Sequence, residues 1–302
     1  MGEASRRLKG PCICGSRRPS RDCCYIDGRW HKLPASLGLS ALPAGLALNR
    51  CYMNALGNCG GVISGEHLIS EGVIRVLTSS GGFSVSGLPW LGPDEERLLA
   101  PSNLTANCLC RVHNSALSPL DETAQRFFTN IKIGLEREAQ NNIWLMSGHD
   151  IERWLLKTAK AMASSKNLAH DGLRLSGAFA SDVDVLNMLD DITAWPKGTG
   201  LYCLMQTGHT FENHLRFQLY PLTNESREIS GIGVNILGLQ FLLLLEPPDL
   251  AKSPDLVGAK FRPSEILIQY PSVTNRIMLS WSDGRLHQDK LTAKFVKVLD
   301  AG

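Results

Sequence analysis

Eight of the nine cysteines in this 302-residue chain fall within its first 110 positions: Cys12, Cys14, Cys23, Cys24, Cys51, Cys59, Cys108 and Cys110. No other feature limits the fold so tightly. Residues 1–33 carry too few apolar side chains for a core of their own, so something other than burial has to order them. The opening "MGEASRRLKG" has charge but no apolar stretch behind it, and lacks the Ser or Thr that myristoylation wants at the sixth position. The longest apolar run, "ILGLQFLLLLE", is too short to cross a bilayer and contains Gln240. A cytoplasmic protein without a membrane span is therefore expected, and in that compartment clustered thiols favour metal sites over disulfides. Cys203, far from the others, reads as a small buried hydrophobe.

The first cluster lies in "CICGSRRPSRDCC", where Cys12 and Cys14 are one residue apart and Cys23 and Cys24 are adjacent. Four thiolates close a tetrahedral zinc shell with no open position, which makes such a site structural. Metal binding would also fold a segment that burial alone cannot. The spacing, with Gly15 and Ser16 after the second cysteine, resembles the SEC-C zinc motif found at the end of the SecA translocation ATPase. That resemblance covers residues 10–30 and implies an interaction element, a contact for a protein partner or a surface.

The second set is split. Cys51 and Cys59 flank "YMNALGN", in which Gly57 and Asn58 suit a tight turn, and Cys110 and His113 sit three apart, on one face of a helical turn. Together they make a Cys₃His zinc set joining a turn to a helix start, with Cys108 as a spare thiol that replaces Cys110 if the register slips. Glu66, His67 and Asn114 stand beside this set without a structural task.

These residues resemble the HNH nucleases, the ββα-metal or His-Me finger family, in the version that carries a structural zinc. The family's acid–His pair is similar to Glu66–His67, and its "LCxxCH" helix is similar to "LCRVHN", Leu109 to Asn114. The zinc cysteine is replaced by His113 and the final His by Asn114, a substitution present in members that remain metal-dependent nucleases. The resemblance implies a treble-clef-like fold over residues 46–118 and an endonuclease acting on nucleic acid, expected to be DNA. It implies His67 as the general base, with Glu66 and Asn114 offering oxygens to one Mg²⁺ or Mn²⁺. The chain departs from the pattern at three places. The Cys51–Cys59 gap is wide, the loop between the halves is long, and the family's middle Asn falls on Thr105, with Asn103 and Asn107 two residues to either side.

Four regions follow: a zinc knuckle and basic arm (1–33), the HNH-like domain (46–118), a helical region (119–196) and a β-rich carboxy-terminal region (197–302), an α+β arrangement with an antiparallel sheet or small barrel at the end. "LPASLGLSALPAG" (33–45) reads as a connector. "GGVIS", "VIRVL" and "FSVSGL" read as strands. Ser118 and Asp121 fit a capping box with Pro119 at the first helical position, predicting a helix to about Asn141. A second helix is predicted near Asp150, carrying Ile151, Trp154, Leu155, Thr158 and Met162 at helical spacing, and a third from Ser181. "HLRFQLY", "GIGVNIL", "LQFLLLLE", "SEILIQY", "RIMLSW" and "AKFVKVL" supply the later strands.

With a net charge of +2 no overall field draws a polyanion, but Arg6, Arg7, Lys9, Arg17, Arg18, Arg21, Arg29 and Lys32 make the amino end basic, either a solvated tail or a phosphate contact. His149–Asp150 reads as a satisfied histidine beside a helix cap. His209, Glu212 and His214 read as loop, and Trp154, Trp195 and Trp281 as core. No phosphate-cradling glycine loop and no "GxSxG" elbow occurs. Beside the nuclease stand a non-catalytic zinc scaffold that binds nucleic acid or a protein partner, and a β region that binds a small ligand and gates the front half.

Overall fold

The computed structural model describes residues 8–78, 83–86, 88, 91–92, 95–137, 139–180, 183–205, 216–248 and 256–295. Along the chain, β1 (Tyr25–Ile26) and β2 (Arg29–Trp30) form a small hairpin. β3 (Ile63–His67) is followed by α1 (Glu71–Leu77), β4 (Phe83–Ser86), β5 (Arg97–Leu99) and β6 (Thr105–Cys110), which runs directly into α2 (Arg111–Glu136). β7 (Ile143–Ser147) leads straight into α3 (Gly148–Ser164), then come β8 (Ala169–His170), β9 (Leu173–Arg174), α4 (Val185–Asp190) and β10 (Gly200–Met205). The remaining strands are β11 (Arg216–Thr223), β12 (Ile229–Ile236), β13 (Leu239–Leu244), β14 (Lys260–Phe261), β15 (Glu265–Gln269), β16 (Thr274–Ser280) and β17 (Lys290–Lys294). It is a mixed α/β fold with a strand-rich carboxy-terminal half.

Two larger sheets enclose the helices. One has the strand order β14-β10-β13-β12-β11-β4-β5 and the other β17-β15-β16-β7, while β3 and β6 pair as a separate antiparallel ribbon. The antiparallel pairing expected at the carboxy end holds for β11–β12–β13 and β10–β13. It gives way to parallel pairing where front-half strands join, β4 beside β11 and β7 beside β16, and again between β15 and β17. The larger sheets are thus completed by strands from before residue 150, and the two halves share one apolar core. At its centre Phe128 meets Trp154 and Phe241 edge to face, with ring centroids 5.4 and 5.8 Å apart, which anchors α2 and α3 to the seven-stranded sheet. Trp154, Trp195, Trp281 and Cys203 are all buried, as expected of core residues.

Several elements differ from expectation for physical reasons. "VIRVL" is the body of α1, not a strand: Val73, Ile74 and Leu77 lie on one helical face and are fully buried, so packing overrides the β preference of branched side chains. α2 begins at Arg111, seven residues before the expected capping box, and ends at Glu136. Pro119 therefore sits inside the helix, where its ring nitrogen cannot serve the Ser115 carbonyl, and the Ser118 hydroxyl donates to that carbonyl at 2.9 Å instead. α3 is capped by the Ser147 hydroxyl, which accepts from the Asp150 amide, so Asp150 is not the cap. The third helix is shorter than predicted and is capped by Asp184; Ser181 lies outside the described residues. Strands β7 and β10 were not anticipated.

The segment 33–45 is a pinned connector. The Ala35 amide donates to Asp150, the Leu39 and Ser40 amides donate to Asp190, and Leu39 is fully buried.

Candidate metal centres and the cleft beside them

Each cysteine cluster is built by turns that the sequence makes compulsory. In the first, Gly15 takes a left-handed φ of +79°, the Gly15 amide donates to the Cys12 carbonyl, and the Cys23 and Cys24 amides both donate to the Ser20 carbonyl. The sulfurs of Cys14 and Cys23 lie 3.6 Å apart, as do those of Cys23 and Cys24, and the four sulfurs all lie within 4.8 Å of one another. A zinc tetrathiolate with bonds of about 2.3 Å has S···S edges of about 3.8 Å, so this set suits zinc. Burial raises the thiols of Cys12 and Cys24, whereas in Cys14 it is outweighed by hydrogen bonds from Ser16 and from the thiols of Cys12 and Cys23, which bring Cys14 down to about 6. One thiolate is thus ready to accept a cation near neutrality.

This knuckle is docked, not free. The Arg126 guanidinium of α2 donates to the Cys14 carbonyl, the Leu145 amide of β7 donates to the Ile13 carbonyl, and Trp30 and Met278 pack against the cysteines. Lys9, Arg17, Arg18, Arg21 and Arg29 remain exposed; Arg6 and Arg7 lie outside the described residues.

In the second cluster Cys51 and Cys59 come from a loop that turns at Asn54–Leu56 and Gly57, Cys110 ends β6, and His113 lies in the first turn of α2. His113 Nδ1 is 3.2, 3.5 and 3.8 Å from the sulfurs of Cys110, Cys51 and Cys59. Cys108 stands outside the set, two residues before Cys110 on the same strand, and burial pushes its thiol up to about 12. Burial also holds His113 below the usual imidazole range, which keeps a lone pair available. With Nδ1 turned to the sulfurs, Nε2–H donates to Asn58 Oδ1 at 2.8 Å, and the Asn58 amide nitrogen donates to the Leu39 carbonyl at 2.7 Å. Such a partner fixes the tautomer and ring orientation of a ligating histidine. Asn58 was legible only as a turn former. Among the described residues, these two sets are the places where three or more Cys, His, Asp or Glu ligand atoms converge.

The second cluster ties the β3–β6 ribbon to the start of α2, giving a strand–strand–helix unit. Beside it lies a cavity of about 240 Å³ lined by Glu66, His67, Ser70, Asn114, Ser118 and Asp121, among others. His67 and Asn114, from distant parts of the chain, therefore line one cleft. The Asn114 amide nitrogen donates to Ser64 Oγ at 3.2 Å, and among the described residues its carbonyl oxygen has no hydrogen-bond partner. Thr105, at the family's middle-Asn position, is the cross-strand partner of His67, yet its hydroxyl donates to the Ser102 carbonyl.

Glu66 is not idle. It is 3% exposed and its Oε1 lies 2.7 Å from Lys157 Nζ, which also holds the Asp121 carboxylate at 2.6 Å. Ser70 Oγ donates to Asp121 and accepts from the Trp154 indole, closing the network. Burial pushes the Glu66 carboxyl up, with Lys157 opposing it. For Lys157 burial pulls down, and the two carboxylates outweigh it and hold the ammonium charged. Lys157 was missed because it lies 91 positions from Glu66, where no local spacing could mark the pair.

The other candidates are structural. His149 is fully buried between Glu152, 3.2 Å from its Nδ1, and the Ser282 amide, which donates to its Nε2 at 3.0 Å. Asp150 binds the Ala35 amide and Arg153. His209, Glu212 and His214 lie outside the described residues. No helix among the described residues is long and apolar enough to cross a membrane. No family model, no curated protein and no solved structure matches the chain.

Proposed function

We propose that the chain is an HNH-like, metal-dependent endonuclease that hydrolyses phosphodiester bonds, with DNA as the expected substrate. One observation carries this reading: an imidazole and a carboxamide, His67 and Asn114, line the same cleft in a strand–strand–helix unit that also carries a Cys₃His set. His67 takes the proton from an attacking water, as the general base of the site. Asn114, steadied by Ser64, lines the cleft and would offer its carbonyl oxygen to a cation.

The donors here suit a cation that keeps most of its own waters, since Mg²⁺ characteristically takes one or two protein oxygens plus substrate phosphate. Glu66 and Asn114 would hold Mg²⁺ or Mn²⁺, which when bound neutralises charge on the scissile phosphate and the departing oxygen. The two cysteine clusters bind Zn²⁺ and act structurally, and the docked knuckle with its exposed arginines assists contact with nucleic acid or with a protein partner.

A second reading, a zinc-stapled scaffold that binds nucleic acid or protein without cutting, is favoured by one specific contact. The Glu66 charge is already answered by Lys157 at 2.7 Å. Plasmid nicking separates the two. The zinc-loaded protein with Mg²⁺ or Mn²⁺ nicks supercoiled DNA, and His67→Ala abolishes nicking without changing zinc content; a wild-type protein that leaves the plasmid intact under both metals is the scaffold.

A further inference from the structure

A separate cavity of about 580 Å³ is walled by Arg50, Tyr52, Asn107, Lys160 and Ser164, among others, with no carboxylate among its described lining residues. Lys160 on α3 is the unusual member. Burial pulls its ammonium below the ordinary lysine range, and its only charge-related contact among the described residues is with the Phe179 ring, 5.1 Å from Nζ to centroid. A half-buried cation without a counter-charge among the described residues is better satisfied when an anion completes it. Arg50, exposed, offers a second cation. The carboxy end of α3, whose dipole would repel an anion, is muted by the amides of Ser165, Lys166 and Asn167, which donate to the carbonyls of Ala161, Ala163 and Met162.

From this juxtaposition of Lys160 and Arg50 around one cavity with no carboxylate among its described lining residues, we infer a phosphate-binding subsite. Phosphate is the class that fits: an anion with several acceptor oxygens facing two cations and neutral donors from Asn107 and Ser164. Ala106 lines this cavity and is the cross-strand partner of Glu66, which lines the cleft, so the two sites share the β3–β6 ribbon as a wall. The source is either the backbone of a nucleic acid or a free phosphorylated molecule. Only the first rests on the nuclease reading.

The test uses the full-length, zinc-loaded chain. Acylation of Lys160 by an amine-reactive reagent at pH 8 is followed by mass spectrometry with and without inorganic phosphate or a short oligonucleotide. In parallel, anisotropy of a labelled oligonucleotide is measured on the His67→Ala background without divalent cation. Inorganic phosphate protects Lys160. The oligonucleotide protects it too, and Lys160→Met and Arg50→Gln each weaken oligonucleotide binding about ten-fold and lower the salt slope by about one. Lys160→Arg keeps near-wild-type binding, which separates charge from misfolding, and Lys197→Gln, an exposed lysine outside the cavity, leaves binding unchanged. Protection by phosphate without oligonucleotide binding keeps the subsite and assigns it to a small phosphorylated molecule. A protein that fails to nick DNA but shows protected Lys160 loses the nuclease reading and keeps this one. Equal acylation with and without both probes, with Lys160→Met binding like wild type, overturns it.

Discussion

His113 turns Nδ1 toward three cysteine sulfurs and Nε2 toward Asn58 Oδ1, 2.8 Å away, so one imidazole joins a metal set to the loop that encloses it. The contact orients the ring before any metal arrives. Asn58→Ala should therefore leave the fold intact but lower zinc affinity at this centre by roughly 10–100-fold, the usual cost of removing a hydrogen-bond partner from a ligating histidine. Competition against a chromophoric chelator, with Cys12→Ser to silence the knuckle, measures it. An unchanged affinity would mean that the sulfurs alone orient His113.

Lys157 is buried between the carboxylates of Glu66 and Asp121. Lys157→Met should destabilise the chain by about 3–5 kcal/mol, because Glu66 would be left buried and charged without a partner. The double variant Glu66→Gln with Lys157→Met should recover part of that loss, since no uncompensated charge remains at Glu66. Denaturant unfolding of the four proteins in the cycle reads both numbers. If Lys157→Met costs no more than a surface substitution, the pair is solvated and Glu66 is available to a metal.

The metal sets are legible in the sequence because their ligands come in tight local pairs, Cys12 with Cys14, Cys23 with Cys24 and Cys110 with His113, and chain geometry does the rest. The strand ending at His67 was legible in "GGVIS", and the helical turn at Cys110–His113 in the spacing of that pair. What could not be read is whatever depends on partners far along the chain. Lys157 falls in a helix whose spacing suits a charged outer face, yet α3 is buried nearly all round because sheets cover it on more than one side. Pro119 looked like a helix start because proline belongs there by local preference, and only the hydroxyl of Ser118 makes an interior position tolerable. "VIRVL" carries strand-forming residues, and its helical form is imposed by the α2 face it meets.

Asp283 links β16 to the buried pair of Glu152 and Arg262, where Arg262 Nη1 lies 2.6 Å from its carboxylate and Arg262 Nε 2.7 Å from Glu152. Burial raises the Asp283 carboxyl, but the Arg285 amide, His287 and Arg262 outweigh it and hold it at about 2. A carboxyl depressed in the folded chain adds stability that is complete above its unfolded value of about 3.9 and disappears as pH falls through 2. The melting-temperature gap between wild type and Asp283→Asn should therefore be constant above pH 5 and shrink steadily below pH 4. Any metal lost from the cysteine clusters in acid is lost from both proteins and cancels in the difference. A gap independent of pH from 5 to 2 would show that Asp283 is not held ionised by these donors.

Pro119 distinguishes two accounts of the same helix. Had the helix begun at Ser118, proline would occupy its preferred first position and Pro119→Ala would be neutral or harmful. With the helix starting at Arg111, the ring deletes an interior hydrogen bond and crowds the Ser115 carbonyl, a strain that Ser118 relieves only in part. Pro119→Ala should then stabilise the chain by about 1–3 kcal/mol, less than the full interior penalty because the native helix has adapted to the ring. Ser118→Ala alone should destabilise by about 1 kcal/mol, and should cost less once Pro119 is alanine, since the restored amide then serves the same carbonyl. Thermal unfolding of the two single variants and the double variant gives the coupling, and additive effects would place the helix start where local preference alone had put it.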